Sequence, residues 1–396
     1  MCVLLVAAAT GQATDACTDP YSEGDPVLLA KIGIEALAPF PWADDHGTLD
    51  IQRELGAGAE IRWAETRHFK IGIGLKDRPL PANQAERQDL LAEIGRLAEQ
   101  LPKLKQRPKT VDSWLLVHLY AARLEALYAD FAARSGWQIE APQTPPGGSD
   151  GRRSAERGAV GAGPYLGQHG KFCLLIVEQR GDLARYLRRF AGRNTEEPAA
   201  HFFKGSTSVA YVTTPDTRWD ALKTERGLYC NVVYGMARNF AASFRGFTFE
   251  IPAWVSEGIG HWYKRRVDAN DYDCFSALDQ SQIGLVSGID WRRKTRTRVE
   301  AGTWAKAADL LVWRTKDTAD FDRHVMMWSR MDYLLSLGDE RFARFLAELT
   351  NLPTTGIAFE EVCKQQLVAL QKAYDMDPAA FDVRWCEWVR KQYPRK

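Results

Sequence analysis

The sequence predicts an α+β fold in which a small mixed sheet and a central helix pair precede an all-helical carboxyl-terminal subdomain. Short segments with the alternating pattern of strands lie before residue 215. Two amphipathic segments, separated by Pro252, occupy the middle of the chain. From Thr303 onward, apolar residues recur at helical spacing. With 396 residues, 45% of them hydrophobic, the chain can bury one large core or two moderate ones.

The first half of the chain alternates between predicted strands and helices. Strands are expected at 60–63, 68–74, 171–179 and 206–214, and helices at 83–101, 114–134 and 181–191. The helices expected after Thr303 cover 303–313, 320–336, 339–350, 357–373 and 378–391.

These elements divide the chain into three regions. Residues 1–58 are rich in turn formers and predict a leader followed by an irregular cap. Residues 59–300 form the α+β domain, with a Gly-, Pro- and Ser-rich insertion at about 136–170 that we expect to be a mobile loop. Residues 301–396 form the helical subdomain. The apolar run Val3–Ala9 resembles part of a secretory signal without its basic start, so export is one expectation and a cytoplasmic location stays open.

Composition excludes several classes of function. A net charge of +1 and a pI near 7.6 give no general attraction to nucleic acid. No run of 18 apolar residues predicts a transmembrane span. The seven cysteines contain no CxxC pair, which excludes a zinc ribbon. One or two disulfides are expected if the protein is exported, and buried thiols if it is not.

The central stretch runs from Gly227 to Arg266 and predicts two helices joined by a short extended loop. The first is expected at 218–243, with an apolar stripe made of Leu228, Val232, Val233, Met236 and Phe240. The second follows Pro252, which suits an early helix position. It carries Glu257 and His261 four residues apart, on one helix face.

This stretch resembles the zinc-binding core of the gluzincin metallopeptidases, in the peptidase MA-like group. In that family a helix carrying His-Glu-x-x-His is followed by a helix of the type Pro-x-Trp-Leu-x-Glu-Gly, whose Glu is the third zinc ligand. Here PAWVSEG places Glu257 at the third-ligand position. Asn231 and Gly235 stand where the resemblance requires the two histidines, and Val232 where it requires the catalytic glutamate. The resemblance also makes 206–214 the edge strand over the cleft, where relatives pair with an extended peptide.

These replacements remove the chemistry of the family. Asn231 is a weak ligand, Gly235 has no side chain, and Val232 cannot accept a proton. We therefore expect no metal and no other cofactor, although zinc is bound in active relatives. Glu257 keeps a ligand position and His261 is a second possible ligand. Their spacing is equally typical of a hydrogen bond on a helix face. The expected vestigial cleft comprises Asn231, Val232, Tyr234, Gly235, Glu257, His261 and Tyr263.

The sequence thus predicts a catalytically inactive peptidase-like protein that binds a peptide or protein segment, with neither nucleic acid nor a membrane span involved. An alternative is a hydrolase with a rearranged site around Glu257 and His261, drawing on Tyr263. A third is a structural partner that acts through its helical end. No GxSxG or SxxK motif supports a serine hydrolase. Cys230 lies beside the cleft in sequence, but a helix cysteine is usually a buried apolar residue.

Overall fold

The computed structural model describes residues 18–137, 163–217, 220–244, 251–270, 288–314, 320–352 and 357–395. Most of the insertion expected at 136–170 and the apolar run Val3–Ala9 lie outside these ranges. The described residues form a mixed α+β structure with one six-stranded sheet and two small two-stranded sheets.

The strands are β1 (Ile34–Leu37), β2 (Pro41–Ala43), β3 (His46–Gly47), β4 (Arg62–Thr66), β5 (Phe69–Gly74), β6 (Arg78–Pro79), β7 (Thr110–Val111), β8 (Phe172–Val177), β9 (Ala199–Phe203) and β10 (Ser208–Thr213). The helices of the first half are α1 (Pro26–Lys31), α2 (Thr48–Leu55), α3 (Gln84–Ala98), α4 (Ser113–Ser135) and α5 (Arg180–Ala191). The remaining helices are α6 (Glu225–Ser243), α7 (Ala253–Val267), α8 (Trp291–Ala301), α9 (Ala307–Leu310), α10 (Phe321–Ser336), α11 (Asp339–Leu349), α12 (Phe359–Tyr374) and α13 (Pro378–Gln392).

The main sheet has the order β1-β4-β5-β8-β10-β9 and is mixed, as the sequence predicts. β5, β8 and β10 run parallel, while β1, β4 and β9 are joined to their neighbours by antiparallel pairing. The parallel strands form the middle of the sheet, where both faces are covered.

Alternation along the strands gives the sheet two buried faces. In β10, Val209 and Tyr211 belong to the larger core, which also contains residues of α4 and α6. Ala210 and Val212 point the other way, into a smaller core that includes residues of α2 and α5. Because successive side chains of a strand alternate between faces, Tyr211 lies on the same face as Val209. This is the face that packs against the larger core, which includes α6.

Two expectations about the sheet are wrong. Residues 34–37, within the segment for which we predicted an irregular cap, form an outer strand paired with β4. The strand expected at the sheet edge, observed as β10, is paired on both sides, with β8 and with β9. β9 forms an antiparallel hairpin with β10 and is the edge strand. The hairpin was missed because Ala199–Phe203 has little of the polar–apolar alternation that indicates a strand.

The central helix pair is present, but α6 begins later than the predicted residue 218. The hydroxyl of Thr224 accepts a hydrogen bond from the Gly227 N–H, so it caps the helix, which starts at Glu225. α7 starts at Ala253, directly after Pro252.

Four of the helices predicted after residue 303 lie close to their predicted positions, but the helix predicted at 303–313 is wrong, since α9 covers only Ala307–Leu310. They pack around buried aromatic residues that include Trp254 of α7, Phe381 and Trp385. The helix α8 was not predicted because its exposed surface is strongly basic and its apolar stripe is reduced to Trp291 and Val299. Among the helices that the structure describes, none has the length and apolar character needed to cross a membrane.

Candidate functional site

Two glycines let α7 approach both of its neighbours closely. A Cβ added to Gly260 would lie 2.8 Å from Arg238 Cγ in α6. A Cβ added to Gly258 would lie 2.8 Å from the carbonyl oxygen of Met327 in α10. Real Cβ atoms do not approach other atoms so closely, so the sequence EGIGH permits a three-helix junction that bulkier residues would open.

Glu257 lies inside this junction with only 2% of its surface exposed. Arg238 Nη2 lies 3.0 Å from its Oε1, and the Tyr234 hydroxyl donates a hydrogen bond to its Oε2. Burial alone lowers the pKa of Arg238, but Glu257, Tyr234 and Tyr211 together raise it above its ordinary value. The Glu257 carboxylate is therefore buried and forms an ion pair with an arginine from the neighbouring helix.

The third helix of this junction, α10, contributes His324, which the sequence analysis did not place at the site. His261 Nε2 and His324 Nδ1 are 2.8 Å apart, and both side chains are fully buried. Glu257 Oε2 lies 3.9 Å from His261 Nε2 and 3.7 Å from His324 Nδ1. The hydrogen bond of His261 is thus to His324 rather than to Glu257 on its own helix. The available signal was the position of His324 on the apolar stripe of α10, with Phe321 and Trp328.

The surroundings keep His261 neutral. Burial lowers its pKa well below the usual value, and the positive charges of Lys264, Arg265 and Arg238, together with the neighbouring His324, lower it further. A neutral imidazole can donate through one ring nitrogen and accept, or bind a cation, through the other.

Asn231, Val232 and Gly235, which the sequence comparison aligned with the gluzincin ligand and base positions, make other contacts. Asn231 accepts hydrogen bonds from the hydroxyls of Tyr211, at 3.1 Å, and Thr213, at 2.7 Å. Val232 is fully buried in the larger core. A Cβ added to Gly235 would lie 2.4 Å from Tyr211 Cζ, so the tyrosine ring covers this position. The side chains present here do not fit a zinc ion bound as in the gluzincins.

Two further candidates, Tyr263 and Cys230, have contacts with other parts of the structure. Tyr263 packs against Phe131 of α4, with ring centroids 6.3 Å apart. Burial raises its pKa well above the usual value, and the nearby Asp130 carboxylate raises it further. Cys230 is a buried thiol packed between α6 and α7, with its Sγ 3.9 Å from the Lys264 carbonyl oxygen. Cys173, Cys230, Cys363 and Cys386, the described cysteines from Cys173 onward, form no disulfide.

The structure therefore divides the expected cleft. Tyr234, Glu257 and His261 come together and are joined by Arg238 and His324. Asn231 and Gly235 are engaged with Tyr211 instead. No family model matches the chain, and neither a curated protein nor a solved structure matches it.

Proposed function

We propose that the protein is a catalytically inactive relative of the gluzincin peptidases, with a gluzincin-like domain at 59–300 and a helical subdomain at 301–396, and that it binds a peptide or protein segment. The proposed inactivity is supported above all by the position of Tyr211. Its ring occupies the space beside Gly235 in which a second ligand side chain would lie. No carboxylate stands at position 232 to take a proton from water.

The outer edge of β9 supports the binding part of the proposal. Arg193 Nη1 donates a hydrogen bond to the Ala200 carbonyl oxygen, at 2.6 Å. Since Ala200 lies opposite Tyr211 in an antiparallel pair, this bond indicates that the N–H and C=O of Ala200 point away from β10. An extended segment could pair with these groups by strand addition if it displaced Arg193.

The inactivity is tested with the purified full chain, zinc and a fluorescein-labelled unfolded polypeptide. We expect no cleavage above that of a Gly235→Ala variant, which cannot form a second ligand either. Zinc-dependent cleavage by the wild-type protein, lost on addition of a chelator, would contradict the proposal.

The binding is tested by selecting peptides from a displayed random library and measuring their affinity for the wild type, Ala200→Pro and Arg193→Ala. Ala200→Pro removes an outward N–H while sparing the pairing with β10, so we expect it to abolish binding. Arg193→Ala uncovers the edge and is expected to strengthen binding. Equal affinity for the wild type and both variants would rule out strand addition at β9.

The export expectation remains part of this proposal, because the apolar run Val3–Ala9 is the sequence feature that suggests it. Cell fractionation tests it. Recovery of the mature chain from a periplasmic or extracellular fraction is the expected result, and full retention in the cytoplasm would contradict it.

The alternative is a hydrolase that uses Glu257 and His261. One observation favours it: His324 lies beside both residues. Their burial argues against it, since a substrate atom must reach the reacting groups. Under this alternative the wild-type protein has a turnover that Glu257→Gln and His261→Gln abolish, whereas under the first proposal none of the three proteins has a turnover.

A further inference from the structure

We propose that Glu257, His261 and His324 form a buried structural site for a divalent transition metal, with zinc as the best match. The proposed ion would join α7 to α10. This metal site is independent of the proposed inactivity, which depends on Tyr211 and Gly235.

The geometry of the three donor atoms carries the proposal. Glu257 Oε2, His261 Nε2 and His324 Nδ1 are separated by 2.8, 3.7 and 3.9 Å. A point equidistant from three atoms so arranged lies about 2 Å from each, which is close to zinc–nitrogen and zinc–oxygen bond lengths. The two longer distances exceed those of hydrogen bonds, and the shortest is the His261–His324 hydrogen bond, which the ion would replace with release of the shared proton.

The chemistry of the donors agrees with the geometry. Two imidazoles and one carboxylate are a common protein ligand set for zinc. The three side chains are at most 3% exposed, so a bound ion would be shielded from solvent.

The neighbours of Glu257 orient it for this role. Arg238 holds Oε1 and leaves Oε2 directed towards the histidines. The Tyr234 hydroxyl donates to Oε2 and further restricts the carboxylate. Such outer contacts fix the orientation of metal ligands, although the positive charge of Arg238 lowers the affinity of the site for a cation.

The experiment uses the full chain stripped of metal with a chelator and titrated with Co²⁺, whose visible absorption reports its coordination. We expect saturation at one equivalent, a nitrogen- and oxygen-ligand spectrum without thiolate charge-transfer bands, and displacement of Co²⁺ by Zn²⁺. Zn²⁺ should also raise the thermal unfolding midpoint of the protein. Failure of the wild-type chain to bind one equivalent would overturn the proposal, and so would a thiolate spectrum.

Three variants test whether the metal binds at Glu257, His261 and His324. His324→Gln and Glu257→Gln should lose the stoichiometric binding and the Zn²⁺-dependent rise in midpoint. His201→Gln changes a histidine of β9 outside the cluster and should keep both. Circular dichroism of the metal-free proteins identifies variants that have not folded, and the wild-type titration decides the question without them. Retention of one equivalent by folded His324→Gln would show binding elsewhere and contradict the site.

Discussion

The ring of Tyr211 lies directly over Gly235, with its Cζ 2.4 Å from the position that a Cβ at Gly235 would take. The hydroxyl of the same ring donates to Asn231, one helical turn earlier. One side chain of β10 thus contacts two of the three positions that differ from the His-Glu-x-x-His pattern. The ring is only 6% exposed, so it acts as a packed part of the core.

Gly235→Ala tests this packing. An alanine in a helix interior is ordinarily favoured over glycine by about 1 kcal/mol, but here its methyl group must displace a buried ring. We expect a net loss of about 1–3 kcal/mol in the free energy of unfolding, measured by urea denaturation. In a Tyr211→Ala background the same change should become neutral or stabilising, because the obstructing ring is absent.

Gly95→Ala is the matched control. Gly95 lies inside α3, and a Cβ there meets no atom within 4 Å. It should stabilise the protein by roughly 0.5–1 kcal/mol. Similar effects at Gly235 and Gly95 would show that Tyr211 does not restrict the helix.

The ion pair between Arg238 and Glu257 should respond asymmetrically to mutation. Arg238→Met leaves a carboxylate that is only 2% exposed without its cation, and should cost about 2–4 kcal/mol. Glu257→Gln leaves an arginine whose side chain is 33% exposed, and should cost less, about 1–2 kcal/mol. Metal-free proteins are compared by urea denaturation. A larger loss for Glu257→Gln would mean that its other contacts, with Tyr234 and the histidines, dominate.

Glu125 should give the protein part of its acid sensitivity. Burial raises the pKa of Glu125, but hydrogen bonds from His68 and Thr66 outweigh it, so the folded pKa is lowered. Stability from this group is therefore present above the unfolded pKa of about 4.3 and is lost as the pH falls through the folded value. Glu125→Gln should cost about 1.5–3 kcal/mol at pH 7 and progressively less below pH 4.

The check is a series of urea midpoints from pH 7 to pH 3 for the wild type and Glu125→Gln. Glu60→Gln is the control, since that carboxylate is 71% exposed and its ion pair among the described residues is with Arg62, at 3.1 Å. It should change stability by less than about 0.5 kcal/mol at any of these pH values. A constant difference between wild type and Glu125→Gln would contradict the assignment.

Arg330 and Asp382 form a second buried pair, within the helical region. Arg330 is fully buried, lies 3.8 Å above the Trp385 ring and donates to Asp382 Oδ1 at 2.5 Å. Asp382→Ala should cost about 3–5 kcal/mol because it leaves a buried guanidinium without its anion.

Adding Arg330→Met to Asp382→Ala should restore much of that loss, since the unpaired charge is removed and the methionine fills the same space. Glu361→Ala, which breaks the exposed pair with Lys364, should have almost no effect. Additive losses in the Arg330 and Asp382 double variant would show that the two residues are not energetically coupled.

The sequence by itself determined the elements whose signals are local. The apolar spacing within Ser113–Ser135 and within the helices beyond residue 320 predicts helices there, because a helix face repeats every three or four residues. The same reasoning placed Pro252 at the start of α7, and Glu257 and His261 on one of its faces. The coarse α+β class follows from these signals.

Tertiary structure alone decided which distant residues meet. His324 is 63 residues from His261, and only the docking of α10 against α7, permitted by Gly258, brings the two rings to 2.8 Å. Likewise, β9 folds back on β10 and takes the sheet edge, and Tyr211 reaches Gly235 because its strand packs under α6. Such contacts arise from packing between elements, whereas hydrophobic periodicity reports only the environment along one element.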